Sequence, residues 1–464
     1  MTAPGEAGAS IGAFANGETA RAAPWAPARW WSREMAMVAA IVLLGVALRV
    51  LWISYAQPDP SDGRFDDSRF YDNFASRIAN WEGYIMPDEP AELQWAPGYA
   101  GGYPTAVWPP GYPALLAVPY KLFGHDPAYG RFINVAAAGV SIALVYAIGQ
   151  RLFSRQVGLI AAALLAVFPG QIFFASLIVT ESVFTTLLLA LVWVLVVLND
   201  GPRPPPVLAA AGVGLLLGAM ALVRSEGVML VLVALAFWRL LVPSWRAMAP
   251  HAGLLLLGTA LVVAPWTVRN YVTMDGFVLT SSGGSHTFWA GHHADIYADG
   301  GLADIRAALE REREYEELPY PERELRFEQD LLEEALRYAV SHPGIELRNL
   351  GLKAYYLFRD DASALDWVQI KPVIPKDDVT VLAGVANGVY YVVLLLAVLG
   401  LALDRRWRDR RHVLLLLTMA VWVATHLLFL PNPRYHAPLI PIISLAAACG
   451  AVAMYERLRS SSRP

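Results

Sequence analysis

The feature that most narrows the folds open to this chain is a series of apolar stretches, most near 20 residues long, between residues 35 and 455. In hydrocarbon every backbone N–H and C=O must find a partner inside the protein, so runs of this length read as membrane-spanning α-helices. Ten spans are predicted, at 35–56, 128–150, 157–175, 182–199, 206–223, 226–242, 251–267, 380–403, 412–430 and 436–455. With 56% hydrophobic and 16% charged residues, the expectation is an all-α polytopic membrane protein. A net charge of −4 argues against nucleic acid as a partner, which would call for a basic stripe. The single cysteine, Cys449, sits inside an apolar run and reads as a small buried hydrophobe.

Loop charges orient the bundle. Short cytoplasmic loops collect Arg and Lys. The tail and segments 151–156, 200–205, 239–250, 404–412 and 456–464 hold 16 Arg against 7 acids. The loop 57–127 holds 10 acids and 4 bases, and in 268–372 the 19 acids again outnumber the bases. Both termini are therefore expected inside and both long loops outside. The expected organisation is a disordered cytoplasmic tail at 1–34, a transmembrane core at 35–267 that includes the outer loop 57–127, a large outer loop at 268–379, and C-terminal spans with a short tail at 380–464. The stretch 111–123 is too short and proline-flanked to cross, and is expected as a surface helix. In 303–343 the charged helical periodicity, broken near Pro319 and Pro321, predicts two solvated helices. Adjacent His292 and His293 are poorly spaced for one metal and read as a loop pair.

Six charged residues remain near the spans: Arg49, Arg131, Glu181, Arg224, Glu226 and Arg434. Such groups are costly in lipid and face polar cavities. Arg49 lies deep in the first span, where snorkelling or a structural ion pair is expected. The other five fall at outer helix ends, on the same face as "RFDDSRFYDNFASRIA" (64–79). If 67–79 is a surface helix, Asp67, Tyr71, Phe74 and Ile78 share one face and Asp72 points away toward solvent. Carboxylates and arginines gathered at one membrane face suit an amphipathic substrate such as a lipid phosphate. Arginine would hold the phosphate and a carboxylate would act as base toward an incoming hydroxyl. The rival reading is a transporter or flippase, but its carboxylates would sit at mid-membrane.

These residues also carry a family resemblance. Asp67-Ser-Arg-Phe-Tyr71-Asp-Asn-Phe-Ala75 resembles the D-x-x-x-Y-x-x-x-A pattern in the first external loop of bacterial protein-mannosyltransferase-like and aminoarabinose-transferase-like enzymes, which have the GT-C fold. "WPPGYPALLAVPYKLFG" (108–124), "TES" (180–182), "APWTVRNY" (264–271), "SSGGSHTFWAG" (281–291) and "PRYHAPLIP" (433–441) are similar to further family segments, in the same order. The resemblance implies a GT-C helix bundle with external loops. The implied enzyme is an inverting transferase that moves a sugar from a polyprenyl-phosphate donor to a glycolipid, polysaccharide or protein acceptor. It would work at the outer, periplasmic face of a bacterial inner membrane. It makes Asp67 the catalytic base, with Asp66 as the alternative and Tyr71 and Ala75 marking the register. Glu181 becomes the second acid, which with Asp67 would hold a divalent metal such as Mg or Mn if one is used. Arg269, Arg434, His436, Arg224, Lys353 and Arg359 become candidates for the donor phosphate. A ligase using a lipid-diphosphate glycan is the alternative within the enzyme class. Trp108, Trp266 and Trp289 are expected mainly as interfacial anchors.

Overall fold

The structure, a computed structural model, describes residues 33–57, 67–87, 101–201, 204–242, 244–297, 307, 311–368, 374–409 and 412–461. The tail expected to be disordered lies outside these residues up to position 32, and so does Asp66. In chain order the helices are α1 (Arg33–Ala56), α2 (Asp67–Ala79), α3 (Gly111–Phe123), α4 (Ala128–Leu152), α5 (Arg155–Val167), α6 (Pro169–Phe174), α7 (Glu181–Asp200), α8 (Val207–Val223) and α9 (Leu230–Leu241). There follow α10 (Trp245–Met274), α11 (Gly284–Ala290), α12 (Glu322–Ser341), α13 (Pro343–Phe358), α14 (Ser363–Val368), α15 (Lys376–Leu403), α16 (Val413–Leu427) and α17 (Ile440–Ser461). Among the described residues the only extended pairing is the isolated bridge between Ile85 and Pro104.

All ten predicted spans form helix, but six are by themselves long and apolar enough to cross: α1, α4, α7, α10, α15 and the continuous stretch Pro433–Ser460. The others depart from simple spans for local reasons. The stretch 157–175 divides at Phe168, because Pro169 has no N–H to continue the α5 ladder and instead opens α6. Arg224 is extended, so the sixth stretch starts as a 3-10 turn at Ser225–Met229 and becomes α-helical at Leu230. Pro433 and Pro438 likewise keep Pro433–Leu439 in a 3-10 turn before α17.

Helix α4 packs against both α5 and α7, α8 against α10, and α15 against α17. The last pair approaches closely. A Cβ at Gly400 would lie 1.9 Å from the Ala446 carbonyl oxygen, and one at Gly450 would lie 2.1 Å from that of Leu396. Small residues that admit backbone contact are the usual adhesive between helices in lipid, where apolar burial supplies no net drive. Arg49 was expected to snorkel or form an ion pair. It is buried and donates from Nη1 to the Ala166 carbonyl (3.1 Å) and from Nη2 to that of Leu165 (3.4 Å). It therefore satisfies the free carbonyls at the end of α5, where the chain breaks before Pro169.

At one end of the bundle the described parts of the two long loops form a roof. Helix α2 turns Tyr71, Phe74 and Ala75 inward. Phe74 stacks on Tyr84 at 4.3 Å and Phe70 on Trp108 at 4.4 Å. Asp72, expected in solvent, is buried. Its carboxylate accepts from the Tyr120 hydroxyl (2.5 Å) and meets His125 Nε2 at 2.9 Å, fastening α2 to α3. Solvation would have cost this acid nothing, but Tyr120 on α3 and His125 just beyond its end hold it inward.

Candidate active site

Carboxylates and guanidiniums alternate across the roofed end of the bundle. Asp67 is the first residue of α2, Glu181 the first of α7, and Arg224 caps the C-terminal end of α8. These placements suit the helix dipoles, positive at N-termini and negative at C-termini. Arg434, held on the 3-10 turn before α17, places Nη1 2.7 Å from Asp67 Oδ2 and Nε 3.9 Å from Glu181 Oε1. Arg224 Nη1 lies 3.1 Å from the same Glu181 oxygen and donates to Thr180 Oγ1 at 3.1 Å. Its Nη2 reaches Glu226 Oε1 at 3.4 Å. His426, at the end of α16, closes the line with Nε2 4.0 Å from Glu226 Oε1. Tyr435 lies beside both guanidiniums, 5.4 Å from that of Arg224 and 5.2 Å from that of Arg434.

The arrangement is buried and incompletely satisfied. Glu181 is 2% exposed and its Oε2 has no hydrogen-bond partner among the described residues. Arg224 Nε and His426 Nε2 are in the same condition. Buried polar atoms left without partners are costly, and where several face one cleft they mark room for a polar ligand.

The roof is held by buried acids on α12. Glu324 accepts from Thr105 Oγ1 (2.7 Å), Ser282 Oγ (2.6 Å) and the Ala106 N–H (3.2 Å). Glu328 accepts from the Ser285 and His286 N–H groups (3.0 and 3.3 Å), and its Oε1 meets His286 Nδ1 at 3.0 Å. Burial pushes the Glu324 carboxyl up to about 7 against the pull of its three donors. Thr280 Oγ1 in turn donates to Ser225 Oγ at 3.0 Å, so the roof touches the turn that carries Glu226. The charged 303–343 segment was expected to be solvated; at these two positions it is not, because loop N–H and hydroxyl donors enclose the carboxylates.

The residues singled out by sequence divide into four groups. Asp67, Glu181, Arg224 and Arg434 meet directly, and Tyr71 packs one helical turn behind Asp67 with its ring edge-on to Tyr112 at 5.3 Å. Arg269 donates to the carbonyls of Thr105 (2.7 Å) and Tyr84 (2.5 Å) and lies 4.9 Å from the Trp266 ring, so it fastens the first loop to α10. His436 is buried between the Leu357 carbonyl (2.8 Å from Nδ1) and Asp361 Oδ1 (3.1 Å from Nε2). Lys353 is buried on α13, and Arg359 pairs with Asp360 at 2.7 Å. His426, Glu324 and Glu328 were missed. The only signal for His426 was a lone histidine near the end of an apolar run.

A divalent cation needs several oxygen or imidazole ligands converging on one point. Among the described residues no three His, Cys, Asp or Glu side chains do so. Asp67 and Glu181, suggested for that role, are bridged by the Arg434 guanidinium instead. The described residues do not offer a ligand set for a divalent cation.

Comparison with known proteins agrees with this architecture. Residues 107–268, which include Glu181, Arg224 and Glu226, match the family model described as dolichyl-phosphate-mannose-protein mannosyltransferase. The oligosaccharyltransferase of Archaeoglobus fulgidus in its apo form superposes with a TM-score of 0.53 at 17% identity, over 94% of this chain and 52% of that one. The same enzyme tethered to an acceptor peptide gives 0.53 at 14% identity, over 92% and 50%. ArnT from Cupriavidus metallidurans bound to undecaprenyl phosphate gives 0.45 at 13% identity, over 91% and 78%. No curated protein sequence matches the chain. The class is thus a polytopic GT-C membrane protein. Within it, the resemblance to protein-mannosyltransferase-like enzymes is borne out by the family match over residues 107–268. The chain spans about half the length of the archaeal enzymes it superposes on.

Proposed function

We propose that this protein is an inverting glycosyltransferase that moves a sugar from a polyprenyl-phosphate donor to an acceptor at the outer face of the membrane, with Asp67 as general base. The observation that carries the reading is the Asp67–Arg434 contact at 2.7 Å, backed by Glu181 and Arg224 under a loop roof. A base and an anion-holding guanidinium side by side are what a one-step displacement of phosphate requires. The acceptor O–H or N–H gives its proton to Asp67 while its heteroatom bonds to the anomeric carbon. The bond from that carbon to the phosphate oxygen breaks, and its electron pair leaves with the lipid phosphate. Arg434, with Arg224 behind it, neutralises the charge that develops there. An incoming phosphate competes with Asp67 for Arg434, so donor binding itself releases the base.

The archaeal oligosaccharyltransferase has been described in complex with a dolichol-phosphate and ArnT with undecaprenyl phosphate, which favours a lipid-phosphate donor here. The basic residues at the opposite end, among them Arg151 and Arg406, favour placing that end in the cytoplasm and the active site outside. The test is mass spectrometry of envelope glycans and lipid-linked sugars in a deletion strain. Loss of one glycan, restored by the wild-type chain and not by Asp67→Asn at equal membrane abundance, is expected. A deletion that changes no glycan overturns the proposal, and restoration by Asp67→Asn but not Asp66→Asn moves the base by one residue.

A further inference from the structure

The displacement uses Asp67, Arg434, Glu181 and Arg224 and leaves the far end of the row, Glu226 and His426, without a task. His426 stands at the end of α16, 2% exposed, with its ring 4.5 Å from that of Trp422 and 5.1 Å from that of Tyr435. A polar ring buried so deeply is costly unless both nitrogens find partners. Nδ1 lies 2.9 Å from the Trp422 carbonyl, which can only accept, so Nδ1 carries a hydrogen. In the neutral ring Nε2 therefore holds a lone pair, and it has no hydrogen-bond partner among the described residues.

What faces that lone pair is another acceptor. Glu226 Oε1 is 4.0 Å away, too far for a hydrogen bond even to a protonated ring. The Glu226 side chain is 27% exposed, so the pair is not sealed off. A hydroxyl suits the gap in either state of the ring, since it donates one hydrogen and accepts through its lone pairs. Between a protonated ring and Glu226, one hydroxyl accepts from Nε2 and donates to the carboxylate. Between a neutral ring and Glu226, two neighbouring hydroxyls each donate once. Tyr435 ties the gap to the reaction centre: its ring is 5.1 Å from the imidazole and 5.2 Å from the Arg434 guanidinium that would hold the leaving phosphate. The gap and the phosphate seat thus border the same ring, close enough for one sugar joined to its phosphate to reach both.

We propose that Glu226 and His426 select the sugar: they bind neighbouring hydroxyls of the unit whose phosphate Arg434 holds. This rests on the transferase reading and adds to it the residues that tell one donor sugar from another. A site built to pair with a hydroxyl rejects an analogue that lacks it, because the site's own buried groups are then left unpaired. A donor without those hydroxyls is excluded even though its lipid and phosphate fit.

The full-length protein in nanodiscs is offered the polyprenyl lipids extracted from membranes of the deletion strain, where its donor is not consumed, together with added undecaprenyl phosphate. Native mass spectrometry reads which lipids are retained. The wild type is expected to prefer one sugar-bearing polyprenyl phosphate over the bare lipid, and the retained mass identifies the sugar. Glu226→Gln and His426→Phe should each cut that preference by about tenfold, the scale of one buried hydrogen bond lost. His426→Gln, which keeps a polar group near the position of Nε2, should retain part of it. An unchanged preference in either Glu226→Gln or His426→Phe overturns the proposal. So does a wild type that retains bare and sugar-bearing lipids equally, since water then suffices to fill the gap. A wild type that retains neither lipid overturns the transferase reading, and the sugar subsite falls with it. Should the variants fail to fold, hydrogen–deuterium exchange of the wild type decides. Slower exchange in residues 224–229 and 425–428 with the sugar-bearing lipid than with undecaprenyl phosphate supports the subsite, and equal exchange overturns it.

Discussion

Arg434 Nη1 sits 2.7 Å from Asp67 Oδ2, joining the helix that follows the first span to the turn that precedes the last. The two residues are 367 positions apart in sequence, so the contact exists only once the bundle has closed. Asp67→Asn keeps the size and most hydrogen bonds of the side chain but removes the proton acceptor. The expected result is a fall in transfer rate of about 10²–10⁴-fold, the usual contribution of a positioned base. Arg434→Lys keeps the charge but loses the planar fork, and should slow transfer by about tenfold or more. Initial rates in nanodiscs, normalised to folded protein, check both; a Lys variant as fast as the wild type would reduce Arg434 to a point charge.

Glu181 separates two guanidiniums, with Arg224 at 3.1 Å and Arg434 at 3.9 Å from one of its oxygens. Glu181→Gln should leave two buried cations short of a counter-charge and destabilise the protein by about 3–5 kcal/mol, the range for a broken buried pair. Glu181→Gln combined with Arg224→Gln should recover much of that stability without recovering transfer. Thermal unfolding of the two variants beside the wild type tests the coupling. With Arg224→Gln measured alone as well, losses that simply add in the double variant would show that Glu181 and Arg224 act independently.

Glu324 gives the roof a pH dependence. Its carboxyl stands at about 7 in the fold against 4.5 as a reference, so the folded state binds the proton more tightly than the unfolded state. A group raised in this way contributes stability that is complete below about 4.5 and is lost as pH rises through about 7. The shift is worth about 3 kcal/mol at most. Hydrogen exchange in residues 103–107 and 281–290 should therefore accelerate between pH 5 and 8 beyond the intrinsic rate. Glu324→Gln, an uncharged stand-in for the protonated acid, should flatten that slope. A slope unchanged in the variant would place the pH dependence elsewhere.

The sequence carried the bundle and half of the site because those depend on local signals. Apolar length marks the spans, and a charge at the end of a span is conspicuous when few charges remain. The Asp67–Ala79 and Gly111–Phe123 helices appear where periodicity and proline flanks put them. What stayed hidden depends on long-range partners. Glu324 and Glu328 look like their many acidic neighbours until Ser282, Ser285 and Thr105 close around them. Arg269 and His436 stand in motif segments, yet backbone carbonyls or a buried acid, invisible to any spacing rule, engage them in the fold. Proline breaks such as Phe168–Pro169 were hidden for the opposite reason, since an apolar run continues through them.

His436 yields the last prediction, because its sequence neighbourhood and its contacts point to different roles. Nδ1 faces the Leu357 carbonyl and therefore carries a hydrogen, so a proton must also lie between Nε2 and Asp361 Oδ1. Burial raises the Asp361 carboxyl, and the imidazole opposes that rise. The Asp361 N–H donates to Asn387 Oδ1 at 2.9 Å, and Gln171 Nε2 donates to the Ala437 carbonyl at 2.9 Å. The pair thus ties the Arg434 turn to α6 and α15, which is a structural task. Replacing His436 by Gln should cost about 2–5 kcal/mol of stability, as expected for a broken buried pair. Undecaprenyl phosphate affinity should stay within about twofold, because the imidazole has no free nitrogen to offer a phosphate. Unfolding curves and native mass spectrometry on one preparation separate the outcomes: full stability with lost lipid binding would return His436 to the donor site.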